Sequence, residues 1–267
     1  MGLISSGGEA AAPRWDWTAL RATCVLAESG DYLVVDKPAG LSVAGERHET
    51  DLVRIARDAG EELIPVHRID KVTSGAVLLA KTKAAHGPLT RQFAMRTVAK
   101  TYLTITRTVG LPPDGEVDLP LCVGRKNRVR VAAPRAAISC DPDTRRWTVP
   151  PDTVRTDGFP SQTAFRRVWE GSGNTVLVVN PKTGRRHQIR VHLAWIGHPL
   201  AGDPLFPASE GDASARTGLH AWRLEFDDQD GDRIRVVAPP GADLWSLVDT
   251  ELTEQHRTEL LSDPRVT

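Results

Sequence analysis

One carboxylate sits where chemistry could be done. The segment Val66-His67-Arg68-Ile69-Asp70-Lys71-Val72-Thr73-Ser74-Gly75 places Asp70 two residues after an arginine and shortly before the apolar run Ala76-Val77-Leu78-Leu79-Ala80. An aspartate at a strand edge can act as a nucleophile or base. It can equally well close a turn or cap a helix, and its own neighbours leave both readings open. The string His67-Arg68-Ile69-Asp70 echoes the kinase His-Arg-Asp loop. It carries one residue too many, with no asparagine at the required spacing, no glycine-rich loop and no Asp-Phe-Gly, which argues against a kinase. His67, His187 and His192 stand at no HxxxH or HExxH spacing, so no metal site is expected.

The composition sets the frame for these residues. A chain of 267 residues can bury a substantial core in one or two domains. Its hydrophobic share of 40% and charged share of 25% are those of a soluble globular protein. No apolar run reaches the length of a membrane span, and the N-terminus lacks the basic-then-apolar pattern of a signal peptide, so a cytoplasmic location without membrane contact is expected. Cys24, Cys122 and Cys140 form no CxxC pair and are read as reduced thiols. Basic and acidic residues number 34 each, yet they are not mixed evenly. Arg125, Lys126, Arg128, Arg130 and Arg135 form one cluster, and Lys182, Arg185, Arg186 and Arg190 another. Asp227, Asp228, Asp230 and Asp232 gather near the C-terminus. A chain neutral overall but polarised in this way can hold a phosphate backbone.

The elements that must position these groups follow from the hydrophobic pattern. Residues 1 to about 25 read as a disordered or extended lead. Tyr32 to Lys37, Ala76 to Ala80, Lys100 to Thr106, Ala164 to Trp169, Thr175 to Val179, Gly218 to Phe226 and Arg233 to Val237 read as strands. Leu52 to Ala59, Ala84 to Met95, His187 to Ile196 (ended by Gly197) and a closing stretch from Ala242 to Leu261 read as helices. Residues 110 to about 160, rich in Pro, Asp and Arg, read as loops with a hairpin. Strands outnumber helices without regular alternation. This predicts an α+β fold with a mixed, largely antiparallel central sheet and flanking helices and loops.

Three separated segments together resemble the RluA-type pseudouridine synthases, which isomerise uridine in structured RNA. The first is His67-Arg68-Ile69-Asp70 with Thr73-Ser74-Gly75. The second is Val98-Ala99-Lys100-Thr101-Tyr102. The third is Thr183-Gly184-Arg185-Arg186-His187-Gln188-Ile189-Arg190-Val191-His192-Leu193, followed by Gly197-His198-Pro199-Leu200 and Gly202-Asp203. Asp36-Lys37-Pro38-Ala39-Gly40 and Leu219-His220-Ala221 support the match, which runs in order from about residue 30 to 240. Two departures are Val72, where the family often has an acid, and Arg186, where it often has Thr or Ser.

The resemblance implies roles for named residues. Asp70 becomes the catalytic carboxylate, Arg190 its counter-charge, and Tyr102 a partner that stacks on the base. A phenol, with a reference pKa of about 10, is a weaker candidate for moving a proton. Arg68 would enter the RNA and hold the flipped nucleotide. His67, Lys100, Lys182, Arg185, Arg186 and His187 would contact RNA, and Leu193 would pack the base pocket. Reactant and product are isomers, so no cofactor is implied. The resemblance further implies one catalytic domain over residues 26–267, with an insertion around 124–160 and no room in residues 1–25 for an S4 domain. The expected partner is structured RNA, ribosomal somewhat favoured over transfer RNA, with DNA not expected and the chain a monomer. The alternative is a non-catalytic RNA-binding or RNA-folding protein on the same scaffold, which would have no need of an intact Asp70, Tyr102 and Arg190.

Overall fold

Continuous apolar runs in the central strands build a sheet whose two faces are both covered. The computed structural model describes residues 15–46, 50–208, 216–248 and 252–262. Its strands are β1 (Val25–Glu28), β2 (Tyr32–Lys37), β3 (Ile64–Pro65), β4 (Ser74–Ala80), β5 (Ala99–Thr106), β6 (Asp114–Asp118), β7 (Leu121–Val123), β8 (Val129–Val131), β9 (Ser139–Asp141), β10 (Arg146–Thr148), β11 (Gln162–Glu170), β12 (Thr175–Pro181), β13 (Leu219–Asp227) and β14 (Arg233–Val237). The helices are α1 (Trp17–Cys24), α2 (Leu52–Asp58), α3 (Lys83–Met95), α4 (Gln188–Trp195), α5 (Ala242–Trp245) and α6 (Glu254–Ser262).

The main sheet runs β1-β2-β4-β13-β5-β12-β11-β6-β10-β9, with β3 added to β4 and β14 to β13. Only β4–β13 and β6–β10 pair in parallel, so the sheet is mixed and largely antiparallel, as expected. Period-two patterning assigns each strand's residues to opposite faces. On β4, Val77 and Leu79 pack with α2, while Ala76, Leu78 and Ala80 pack with α3. On β12, Leu177 and Val179 meet α4, while Val176 and Val178 meet the C-terminal helices. Each fully buried aliphatic side chain of this kind contributes roughly 1.5–3 kcal/mol.

Three expectations need correction. The lead drawn over residues 1–25 is helical from Trp17: the Asp16 carboxylate accepts from the Ala19 N–H at 2.8 Å, and Trp17 is buried with its indole N–H on Glu61. A capping aspartate and one buried tryptophan anchor a helix that has little apolar periodicity of its own. Residues 1–14 of that lead lie outside the described residues. The closing helix expected over Ala242–Leu261 is instead α5 and α6, two short helices whose Trp245 and Leu260, with Val248 and Leu252 outside them, fill one core with Trp222. Residues 110–160 hold more regular structure than loops with one hairpin. There β7 and β8 form the expected hairpin, but β9–β10 also extends the main sheet from β6.

Two buried histidines make the fold sensitive to acid. The His192 imidazole lies between Thr163 and the Leu119 carbonyl, and that of His220 between Ser74 and the Ala238 carbonyl. Burial pushes both pKa values down to about 4. The unfolded chain therefore binds these protons first, as pH falls through about 6.5. Stability is fully present above that pH and is lost towards about 4, by roughly 2 kcal/mol per histidine at pH 5. Urea midpoints measured at pH 7 and pH 5 should differ accordingly; equal midpoints would contradict this assignment.

Candidate active site

The bend at Asp70 is both a turn and a site. The Thr73 N–H donates to the Asp70 carbonyl at 3.0 Å, closing a tight turn. The Asp70 carboxylate is engaged by distant side chains rather than by that turn. Gly75 follows with φ 111°, and a Cβ there would stand 2.2 Å from the Ala221 carbonyl oxygen. Only glycine lets β4 begin this close to β13. Lys37 braces the turn from behind. Its fully buried Nζ donates to the carbonyls of Pro38 at 2.8 Å, Leu41 at 2.6 Å and Lys71 at 3.4 Å. Burial pushes this ammonium down to about 7, against the opposing pull of Asp70.

The counter-charge comes from α4. Gln188 opens the helix and locks the preceding loop: its Oε1 accepts from the Thr183 hydroxyl and the Arg185 N–H, and its Nε2 donates to the Gln162 carbonyl and to Thr163. Two residues on, Arg190 is 2% exposed. Its Nη1 donates to Asp70 Oδ2 at 2.9 Å. Its Nε and Nη2 donate to the two oxygens of Asp203 at 2.7 and 2.8 Å, a bidentate fork. Burial opposes the Arg190 charge, but the bonds and charges of Asp203 and then Asp70 outweigh it and raise the pKa. Asp203 is itself fixed by the N–H groups of Leu205 and Phe206.

Asp70 and Arg190 meet in a cleft of about 770 Å³ whose lining includes Tyr102 on β5, Leu219 on β13 and Pro181 at the end of β12. The cleft therefore crosses the central strands of the sheet. Burial, and secondarily the Asp70 charge, raise the Tyr102 pKa above the usual phenol value, so the hydroxyl keeps its proton at neutral pH. His187 precedes α4 in the left-handed region at φ 55°. Its Nε2 lies 3.7 Å from Asp70 Oδ1, and burial lowers its pKa. The arrangement offers an ionisable carboxylate held by a buried cation, an aromatic wall and no competing nucleophile at that point. Among the described residues no group of His, Cys, Asp and Glu is placed to hold a metal ion.

The cations expected to contact RNA line the same cleft. Arg68 is exposed and forms no ion pair among the described residues. Lys100 reaches the loop before α4, where a Cβ at Gly184 would stand 3.5 Å from its Nζ. Burial and the neighbouring Arg96 lower the Lys100 pKa. Lys182, Arg185 and Arg186 flank that glycine; Lys182 pairs with Glu116 and Arg186 reaches the Asn127 carbonyl. His67 also borders the cleft, but it is built into the fold. Its Nε2 accepts from the Leu78 N–H at 2.9 Å, its ring stacks on Phe93 at 4.5 Å, and burial pushes its pKa down to about 3.

A family model described as RNA pseudouridylate synthase matches residues 31–195, a span that holds Asp70, Tyr102 and Arg190. The chain belongs to the RNA pseudouridylate synthase family. Its relatives include the Dual-specificity RNA pseudouridine synthase RluA of Escherichia coli O157:H7, 37% identical over 206 residues, covering 75% of this chain and 84% of the relative. They also include the Ribosomal large subunit pseudouridine synthase D of Nitrosomonas europaea, 34% identical over 232 residues; the match covers 81% of this chain and 61% of that relative's length. The structure of Human RNA Pseudouridylate Synthase Domain Containing 4 shares the fold at a TM-score of 0.69 and 22% identity, over 86% of this chain and 93% of the other. This pseudouridine synthase is thus of the RluA type.

Against that family frame, one expected residue is misplaced and several were missed. Leu193 does not line the cleft. It lies a helical turn beyond Ile189, fully buried in the core beneath α4, and the apolar wall comes from Ile189 and Leu219 instead. Asp203 and Lys37 stood inside recognised motifs, but nothing local marks a buried aspartate as an arginine's partner or a lysine as a brace. Arg96 and Phe93 reach the cleft from the end of α3, where Arg96 takes a left-handed backbone at φ 62°.

Proposed function

We propose that Asp70 is the carboxylate that acts on a uridine flipped out of structured RNA, converting it to pseudouridine. The observation that carries this reading is Arg190, one guanidinium shared between buried Asp203 and cleft-lining Asp70. A shared arginine of this kind orients a carboxylate and balances its charge. The reaction breaks the N1–C1′ bond, turns the base and forms a C5–C1′ bond, while the C5 proton leaves and N1 gains one. A carboxylate can serve at C1′ as nucleophile or at the ribose 2′ position as base.

The other residues take supporting roles. Tyr102, protonated, stacks on the base. Arg68 holds the extruded nucleotide, and Lys100, Lys182, Arg185, Arg186 and His187 meet phosphates. A non-catalytic RNA chaperone has no use for a buried Arg190–Asp203 fork aimed at a carboxylate, which favours catalysis. The synthase works as a monomer in the cytoplasm, as one catalytic domain with the 124–160 segment inserted, on ribosomal RNA ahead of transfer RNA, and not on DNA.

The test is mass-silent isomerisation. Ribosomal and transfer RNA lacking modifications are incubated with the protein, and carbodiimide-dependent reverse-transcription stops are mapped. Discrete new stops at uridines are expected. Their absence in every RNA offered, with the protein folded and in excess, would refute the reading.

A further inference from the structure

We propose that Phe159 is a stacking platform for an unpaired nucleotide flanking the target uridine, with Arg125, Lys126 and Arg128 holding that nucleotide's backbone. The inference rests on the RNA reading above and extends it to a surface outside the catalytic cleft.

Phe159 is 55% exposed, yet its backbone is not loose. It exchanges two hydrogen bonds with Leu121, at 2.9 and 2.8 Å, so the ring is presented from a fixed seat. A single exposed phenylalanine is ordinary. What sets this one apart is its company. The Arg185 guanidinium, which lines the catalytic cleft, lies 5.2 Å over the Phe159 ring. The β7–β8 loop begins three residues beyond Leu121 and is tied to the cleft rim by the bond from Arg186 to the Asn127 carbonyl. At its tip Arg125, Lys126 and Arg128 are exposed and form no ion pair among the described residues. The nearby acid, Asp157, is already neutralised by a bidentate bond from Arg155. An exposed ring with a guanidinium 5.2 Å over one face, and three cations without ion pairs among the described residues, form a surface suited to single-stranded nucleic acid, because a base can stack on the other face while cations track phosphates. The same features would give a folded protein partner little apolar area.

Fluorescence anisotropy with a labelled uridine decamer and an abasic ribose-phosphate decamer separates stacking from charge. The wild-type chain should prefer the uridine decamer. Phe159→Ala should weaken uridine-decamer binding about tenfold and leave abasic binding unchanged, and Phe159→Trp should retain the wild-type preference. Replacing Arg125, Lys126 and Arg128 together by Ala should flatten the salt dependence for both decamers. Equal wild-type affinity for the two decamers, no change in Phe159→Ala, or a loss shared by the abasic probe would overturn the proposal. None of these outcomes touches the isomerisation assay, which can fail or succeed independently.

Discussion

Asp70→Asn should abolish turnover, by on the order of 10⁴-fold or more, without unfolding the protein or loosening its hold on RNA. The reason lies in the geometry of Arg190. Its Nε and Nη2 are committed to Asp203, so an amide at residue 70 leaves the guanidinium paired and costs the interior little. Removing a negative charge from a cleft lined by Arg68, Lys100, Arg185 and Arg186 does not weaken attraction to a polyanion. Single-turnover rates and RNA affinity, measured side by side on the variant, check both halves. A rate within roughly a tenth of wild type would remove Asp70 from the chemistry. A large loss of affinity would make it a binding residue.

Asp203→Ala should be the more damaging change to the molecule as a whole. It strands a buried arginine with Asp70 as its only carboxylate and frees the Leu205 and Phe206 N–H groups. Breaking a buried ion pair from one side typically costs about 3–5 kcal/mol. The loss should appear as a lower urea midpoint. Turnover should fall as well, on the order of 10²-fold, because Arg190 would no longer be steered towards Asp70. Asp203→Asn keeps acceptor and shape but not charge, and should fall between wild type and alanine. An unchanged midpoint in Asp203→Ala would mean that Arg190 is held by something other than this fork.

How much of this was legible in the sequence differs by kind of residue. Strand and helix positions were, since β4, β5, β12 and α4 carry apolar or β-branched runs and sit within a residue or two of where the pattern put them. The meeting of Asp70 with Arg190, 120 positions apart, was legible only through the order of three motifs and not through any local property. Leu193 was misjudged because a motif match says which residues belong together, not which of them face the cleft and which the core. Asp203 and Lys37 escaped because a buried charge is recognisable only by its partners, which are remote in the chain. Trp17 and Asp16 escaped for another reason: a helix of eight residues, held by one cap and one buried ring, is too short for its pattern to stand out in the sequence.

The place of β13 in the sheet has a consequence for how the enzyme is made. This strand, residues 219 to 227, lies between β4 and β5, which are complete by residue 106. A nascent chain thus carries Asp70, in the turn before β4, and Tyr102, on β5, before the strand that belongs between β4 and β5 has been synthesised. Closing that gap requires contacts across more than half the chain, a slow step in topologies rich in distant pairings. The cleft therefore comes into being late, when the sheet closes around an inserted C-terminal strand, and the order of synthesis keeps an unfinished chain from presenting a working site to RNA.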